Sequence, residues 1–173
     1  RIYFILEGKF EWVINDHHHI LYPGDVVVIQ PGHNFGGQKG VLDIGKLCWL
    51  YIEVNKSMPD ERMMFGKWSS LPKNEILAIG KILRLCNTPV LSRVKEAGRI
   101  LYEIHQELYN QQIGYTTRVN QLIDELFILI ARKLTLQNNT HRDFPQSFMQ
   151  LEQALRQILS HTWTVEEMAA MVG

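Results

Sequence analysis

The stretch Leu21-Tyr22-Pro23-Gly24-Asp25-Val26-Val27-Val28-Ile29-Gln30-Pro31-Gly32-His33 decides how the first third of the chain folds. Pro23-Gly24-Asp25 is a turn that feeds Val26 to Ile29, a β-branched run with strong strand propensity. Pro31-Gly32 ends that run, because proline donates nothing to a ladder and glycine permits a sharp reversal. Working outward, Ile2 to Leu6, Phe10 to Ile14 and Leu47 to Val54 read as further strands. Several short strands joined by turn signals predict an antiparallel sandwich or barrel.

Upstream, Phe10, Trp12 and Ile14 alternate with Lys9, Glu11 and Val13, giving a hairpin strand with one apolar face. Asn15-Asp16 supplies the turn, since both residues tolerate left-handed backbone. His17-His18-His19 begins the return strand. Neighbours on a strand point to opposite faces, so only His17 and His19 can share one, and no carboxylate stands at ligand spacing from them. These residues are read as a polar strand end, and the chain as carrying no metal.

Downstream, the glycines between Gly36 and Gly45 predict a flexible loop over one end of the strands. In Cys48-Trp49-Leu50-Tyr51-Ile52 the two aromatic residues share a face. They can stack on a small ligand or simply fill the interior.

After Val54 the composition changes. Residues 57–71 read as a connection, and from there the period is helical. Ile76, Ile79, Ile82 and Leu83 mark a first helix. Ser92 is a candidate cap for a second, in which Val94, Ala97, Leu101, Ile104 and Leu108 recur at helical spacing until Gly114. A third, from about Thr116 to Leu136, carries two apolar stripes: Val119, Leu122, Leu126, Leu129 and Leu136, interrupted by Lys133, and Ile123, Phe127, Ile130 and Leu134. A helix apolar on two sides must bury both. Either both lie within the monomer, or one packs on a partner subunit; the first stripe is assigned here to a dimer seam. Gln137 to Arg142 reads as a polar linker. Ser147 can then cap a helix bearing Phe148, Leu151, Leu155, Ile158 and Leu159. Thr164-Val165-Glu166-Glu167 has the form of a capping box, in which hydroxyl and carboxylate each take the other residue's amide. Ala169 and Ala170 permit close helix approach, and Gly173 falls where a helix-turn-helix would turn.

Apolar residues make up 46% and charged residues 21% of the 173, with 18 basic against 18 acidic side chains. The size suits one to two domains, and the balanced charge gives no global attraction to nucleic acid. The longest apolar run, Leu126 to Ala131, is too short to span a bilayer. Cys48 and Cys86 sit inside hydrophobic patterns, as buried thiols of a reducing cytoplasm do. The chain opens at Arg1 already within a strand pattern, as a fragment would.

The glycine-aspartate, hydrophobic run and proline-glycine order, following a short hairpin, resembles the small barrel of the cupin superfamily. Metal-dependent cupins place a ligand histidine a few residues beyond the proline-glycine pair, where this chain has Phe35. The family's paired histidines and glutamate have no counterpart after Gly8. The resemblance therefore implies a non-catalytic barrel, the alternative being a metal-dependent cupin isomerase or dioxygenase.

Barrel, helix pair, polar linker and the opening of a helix-turn-helix, in that order, resemble the AraC family of bacterial transcription regulators. The most specific residues are Leu21 to Gly32 and Thr164 to Gly173. The resemblance implies an α+β chain in four parts: an effector-sensing barrel over 1–55, connecting and dimerisation helices over 56–136, a linker over 137–146, and the truncated start of the helix-turn-helix over 147–173. It implies a cytoplasmic homodimer that binds DNA and a small effector without a cofactor, and is not an enzyme. The base-reading helix would follow Gly173, so the DNA-binding residues are unknown. Ligand contacts are expected at Glu7, Trp12, His33, Trp49 and Tyr51. In the arabinose-sensing member a cation precedes the hairpin glycine where Glu7 stands here, and an aromatic is replaced near Gly37, whereas Trp49 matches a pocket tryptophan. The effector's identity stays open.

Overall fold

A computed structural model describes residues 1–37, 43–53, 55–57, 62–85, 88–157, 164 and 167, with backbone alone at 55–57, 62–64 and 138–157. The chain is α+β. Nine described strands run β1 (Ile2–Gly8), β2 (Phe10–Ile14), β3 (His17–Leu21), β4 (Val26–Val28), β5 (Phe35–Gly37), β6 (Gly45–Leu50), β7 (Asn55–Ser57), β8 (Arg62–Met64) and β9 (Val90–Leu91). The described helices are α1 (Lys73–Leu85), α2 (Lys95–Asn110) and α3 (Tyr115–Gln157).

The strands form a four-stranded antiparallel sheet, β6-β1-β4-β9, a three-stranded antiparallel sheet, β3-β2-β5, and a β7-β8 ribbon. Among the described residues the two larger sheets do not close into a barrel. They share a core in which Ile5, Val27 and Ile29 of one meet Phe10, Ile14 and Leu21 of the other. The Leu21–His33 stretch shows why. Its Pro23-Gly24 turn carries the chain from the three-stranded sheet into β4, and Pro31-Gly32 carries it back toward β5. Both glycines have positive φ, +94° and +91°, which L side chains rarely adopt. Asp25 does more than fill a turn. Its buried carboxylate accepts from the backbone N–H of Tyr22 (2.9 Å) and of Arg93 (3.1 Å), tying the turn to the entry of α2.

The hairpin turn is as expected, with Asn15 and Asp16 both left-handed (φ 47° and 64°). Four strands escaped the sequence. β5 lies where a loop was expected, because Phe35-Gly36-Gly37 has little strand propensity and owes its conformation to pairing with β2. β8 falls inside the expected connection, β7 lies at its start, and β9 is two residues long.

The other face of the four-stranded sheet is covered by helices. Ile2, Phe4 and Val26 share a core with Leu83 of α1, Ala97, Ile100 and Leu101 of α2, and Leu122, Leu126 and Ile130 of α3. α2 comes close enough to β1 that a Cβ at Gly98 would collide with the Phe4 ring. No side chain caps α2, whose N-cap is Val94 and not the expected Ser92. Three ion pairs fix the helix order: Glu96–Lys133, Arg99–Glu125 and Glu103–Arg118. As the position on α2 rises, its partner on α3 falls, so the two helices are antiparallel. Exposed pairs stabilise little, roughly 0–1 kcal/mol each, so the apolar seam holds the helices together. Asp124, buried on α3, accepts from the Ser69 hydroxyl (2.6 Å) and from the Ser70 amide and hydroxyl (both 2.9 Å), anchoring the segment before α1.

The dimer assignment of the first α3 stripe needs correction. Leu122 and Leu126 are fully buried within their own chain, Val119 is buried, and Leu129 packs on the same core. The second stripe is enclosed as well, with Phe127, Ile130 and Leu134 buried. A four-stranded sheet together with two more helices offers α3 two apolar walls, which take up both stripes as far as Leu134; only Leu136, at the end of the first, is exposed.

Two compact units divide at Leu134/Thr135. In the second, the backbone is helical through 137–146, where a linker was expected, and on to Gln157. Thr164 and Glu167 form the reciprocal cap foreseen from sequence: Thr164 N–H donates to Glu167 Oε2 (2.9 Å) and Glu167 N–H to Thr164 Oγ1 (3.2 Å). Ala169, Ala170, Gly173 and the expected helix-turn-helix turn lie outside the described residues, as do Cys86 and Glu166. Cys48 is a half-buried free thiol whose pKa burial raises.

Candidate ligand-binding site

Strand alternation gives β1 two buried faces. Ile2 and Phe4 go to the helical core, while Tyr3 and Ile5 go to the space between the sheets. Tyr3 is the hub of an aromatic group drawn from four strands. Its ring centroid lies 5.1 Å from Trp12 of β2 in an edge-on contact, 5.7 Å from Phe35 of β5, and 6.4 Å from Trp49 of β6 in a stacked one. Trp12 and Phe35 are 5.9 Å apart. The register explains the openness of the group. Trp49 is the direct partner of Tyr3, and Trp12 is paired with Gly37, which has no side chain to cover it. Trp49 is left 59% exposed, so an aromatic face is available for stacking.

Beside this group lies a cavity of about 460 Å³, at the sheet edge where β1 begins and β4 and β6 end. That volume suits a small molecule. Ile2, Val28, Leu50, Ile52 and Phe127 give it an apolar floor; Gln30, His33, Arg1 and Glu53 supply its polar groups. The Arg1 guanidinium sits 5.7 Å from the Phe35 centroid and 5.6 Å from that of Tyr51, a double cation–π contact that positions both rings. His33 Nδ1 receives a long bond from the Gln30 amide (3.4 Å), which places the neutral ring's hydrogen on Nε2. A ligand with a flat or apolar face and one or two hydrogen-bonding groups matches this lining.

Of the five residues expected to contact ligand, four fall in this region. Trp12 and Trp49 belong to the aromatic group, and His33 and Tyr51 line the cavity. Glu7 does not belong. It lies on the exposed end of β1, paired with Lys46 of β6 at 2.8 Å, and lines neither this cavity nor its aromatic border. The β-bulge between Ile5 and Glu7 breaks the alternation that would have placed it on a predictable face. Tyr3, Phe35, Gln30 and Arg1 were missed. For Tyr3 the signal was present, an aromatic between Ile2 and Phe4 on a strand that buries both faces. For Phe35 the signal was its place where metal-dependent cupins carry a ligand histidine, used here only as an argument against a metal.

Elsewhere His17 and His19 share the inner face of β3, opposite Ile14 and Trp12, and His18 faces outward. Among the described residues no three His, Cys, Asp or Glu are gathered to hold a metal ion, and no helix is long and apolar enough to cross a membrane. No family model matches this chain, and no curated protein matches it.

Proposed function

We propose that this chain is the sensor and dimerisation region of an AraC-type DNA-binding transcriptional regulator, in which a small effector held in the cavity at the sheet edge, beside the aromatic group, controls promoter binding. The observation that carries the proposal is the open aromatic group around Tyr3, with an adjoining cavity of about 460 Å³. Core aromatics of a purely structural sandwich would be closed over; here Trp49 and Tyr51 are 59% and 60% exposed beside that cavity. The antiparallel α2–α3 pair and the Thr164–Glu167 cap support the order of parts that the family resemblance implies. On this reading the cavity binds and does not catalyse: His33, Glu53 and Arg1 serve as recognition groups, and the buried carboxylates of Asp25 and Asp124 are committed to turn and loop hydrogen bonds. The protein on this reading is a cytoplasmic homodimer with no cofactor. Its contact surface is drawn from side chains that α2 leaves exposed, Tyr102, Leu108 and Tyr109, in place of the buried α3 stripe.

Fusing residues 1–173 to a helix-turn-helix domain that binds paired half-sites only when dimerised tests this reading. The fusion should repress a half-site reporter, and a panel of small metabolites should contain a compound that changes repression in wild type but not in Trp49→Ala. A fusion that stays monomeric, or one that responds to no compound while folding normally, contradicts it.

A further inference from the structure

A second cavity, of about 500 Å³, opens on the other side of Gln30 and His33. Its polar lining is unlike that of the first. Three imidazoles, His17 and His19 from β3 and His33 from the turn before β5, meet Arg84 from the last turn of α1. Asn15, Gln30 and Thr88 add neutral polar groups, Leu134 of α3 closes one wall, and no aspartate, glutamate or lysine is present in the lining.

We propose that this cavity binds a small oxyanion, a carboxylate or phosphate group, with Arg84 as its charge partner and the histidines as hydrogen-bond donors. A guanidinium presents a planar fork of donors that matches either group. Arg84 forms no ion pair among the described residues, and the neutral His33 tautomer set by the Gln30 amide leaves Nε2–H to donate. The C-terminus of α1 would otherwise oppose an anion through its unpaired carbonyls. Gln30 removes part of that opposition, since its side-chain amide donates to the Leu83 carbonyl at 2.5 Å.

The other two imidazoles make the site responsive to pH. His17 Nδ1–H donates to the Asn15 carbonyl (2.8 Å), so Nε2 gains a hydrogen only when the ring is protonated. For His19, burial and then the neighbouring His17 and His18 lower its pKa, and a bound anion reverses that penalty. The charged and titratable groups facing the anion are these three histidines and Arg84, so protonation only adds to attraction. The inference stands apart from the regulator reading, because it uses neither the aromatic group nor the helix pair.

Histidine ring resonances followed by NMR during separate titrations with inorganic phosphate and with succinate provide the test. His17, His19 and His33 should shift saturably with at least one of the two, and which one distinguishes the classes. His18, on the outer face beside Glu11 (4.0 Å), is the internal control and should not follow. Affinity should rise as pH falls through the histidine range and drop about tenfold in Arg84→Gln, the loss of one charge-assisted contact. Arg84 is exposed, so this variant should melt like wild type. No saturation with either anion, equal shifts at His18, or unchanged affinity in Arg84→Gln would overturn the proposal.

Discussion

The two faces of the β6-β1-β4-β9 sheet are covered in opposite ways. On the helical side, Ile2, Phe4 and Val26 meet an aliphatic layer so complete that Ala97, Leu122, Leu126 and Ile130 are fully buried. On the other side, Ile5, Leu21 and Val27 are just as buried near the middle of the sheets, but the cover gives out toward Tyr3, Trp12, Phe35 and Trp49. One strand, β1, supplies both faces through alternate residues. The aliphatic face contributes stability and borders the cavity only at its margin, through Ile2, Val28, Leu50, Ile52 and Phe127; a face that ends in half-exposed aromatic rings forgoes burial and leaves a surface that a ligand can cover.

Substitutions on the two faces should therefore separate stability from binding. The largest loss is expected for Leu126→Ala, about 2–5 kcal/mol from removed contacts and the cavity left behind, read by chemical denaturation. If Leu126 instead faced a partner, the variant would keep its monomer stability and change only its mass in light scattering. Gly98→Ala should cost roughly 1–3 kcal/mol, because the new methyl meets the buried Phe4 ring and α2 must lift from β1. Trp49→Ala on the open face should cost about 1 kcal/mol or less, since the ring is already more than half in water. A mouth residue as costly as Leu126 would erase the distinction between the faces.

The smallest effect is a pH slope. The folded protein depresses the pKa of His19, so the unfolded chain binds the proton more readily. This contribution is complete above the ordinary histidine range and is lost as pH falls through that range toward the lower folded value. His19→Gln should flatten this part of the stability profile; an unchanged slope would show that His19 is as solvated folded as unfolded.

The parts visible in the sequence were those specified locally. Pro23-Gly24 and Pro31-Gly32 stop strands whatever surrounds them, Asn15-Asp16 tolerates positive φ, and Thr164 and Glu167 form their cap within four residues. The parts missed depended on distant partners. Phe35-Gly36-Gly37 is a strand only because β2 offers it a ladder. Glu7 was misplaced because a bulge shifts its register. The Val119–Leu129 stripe has the pattern of a dimer seam, and periodicity alone cannot tell a partner's wall from the chain's own sheet and helices.

The most direct test of an open binding face against a closed structural one is NMR mapping with a weak aromatic probe, benzyl alcohol, titrated into residues 1–173. The account predicts saturable shifts at Tyr3, Trp12, Phe35, Trp49 and Tyr51, little change at Ala97, Ile100 and Leu122, and loss of the effect in Trp49→Ala/Tyr51→Ala with the fold intact. Shifts centred on the exposed α2 residues Tyr102 and Tyr109, or an effect that survives the double substitution, would contradict it.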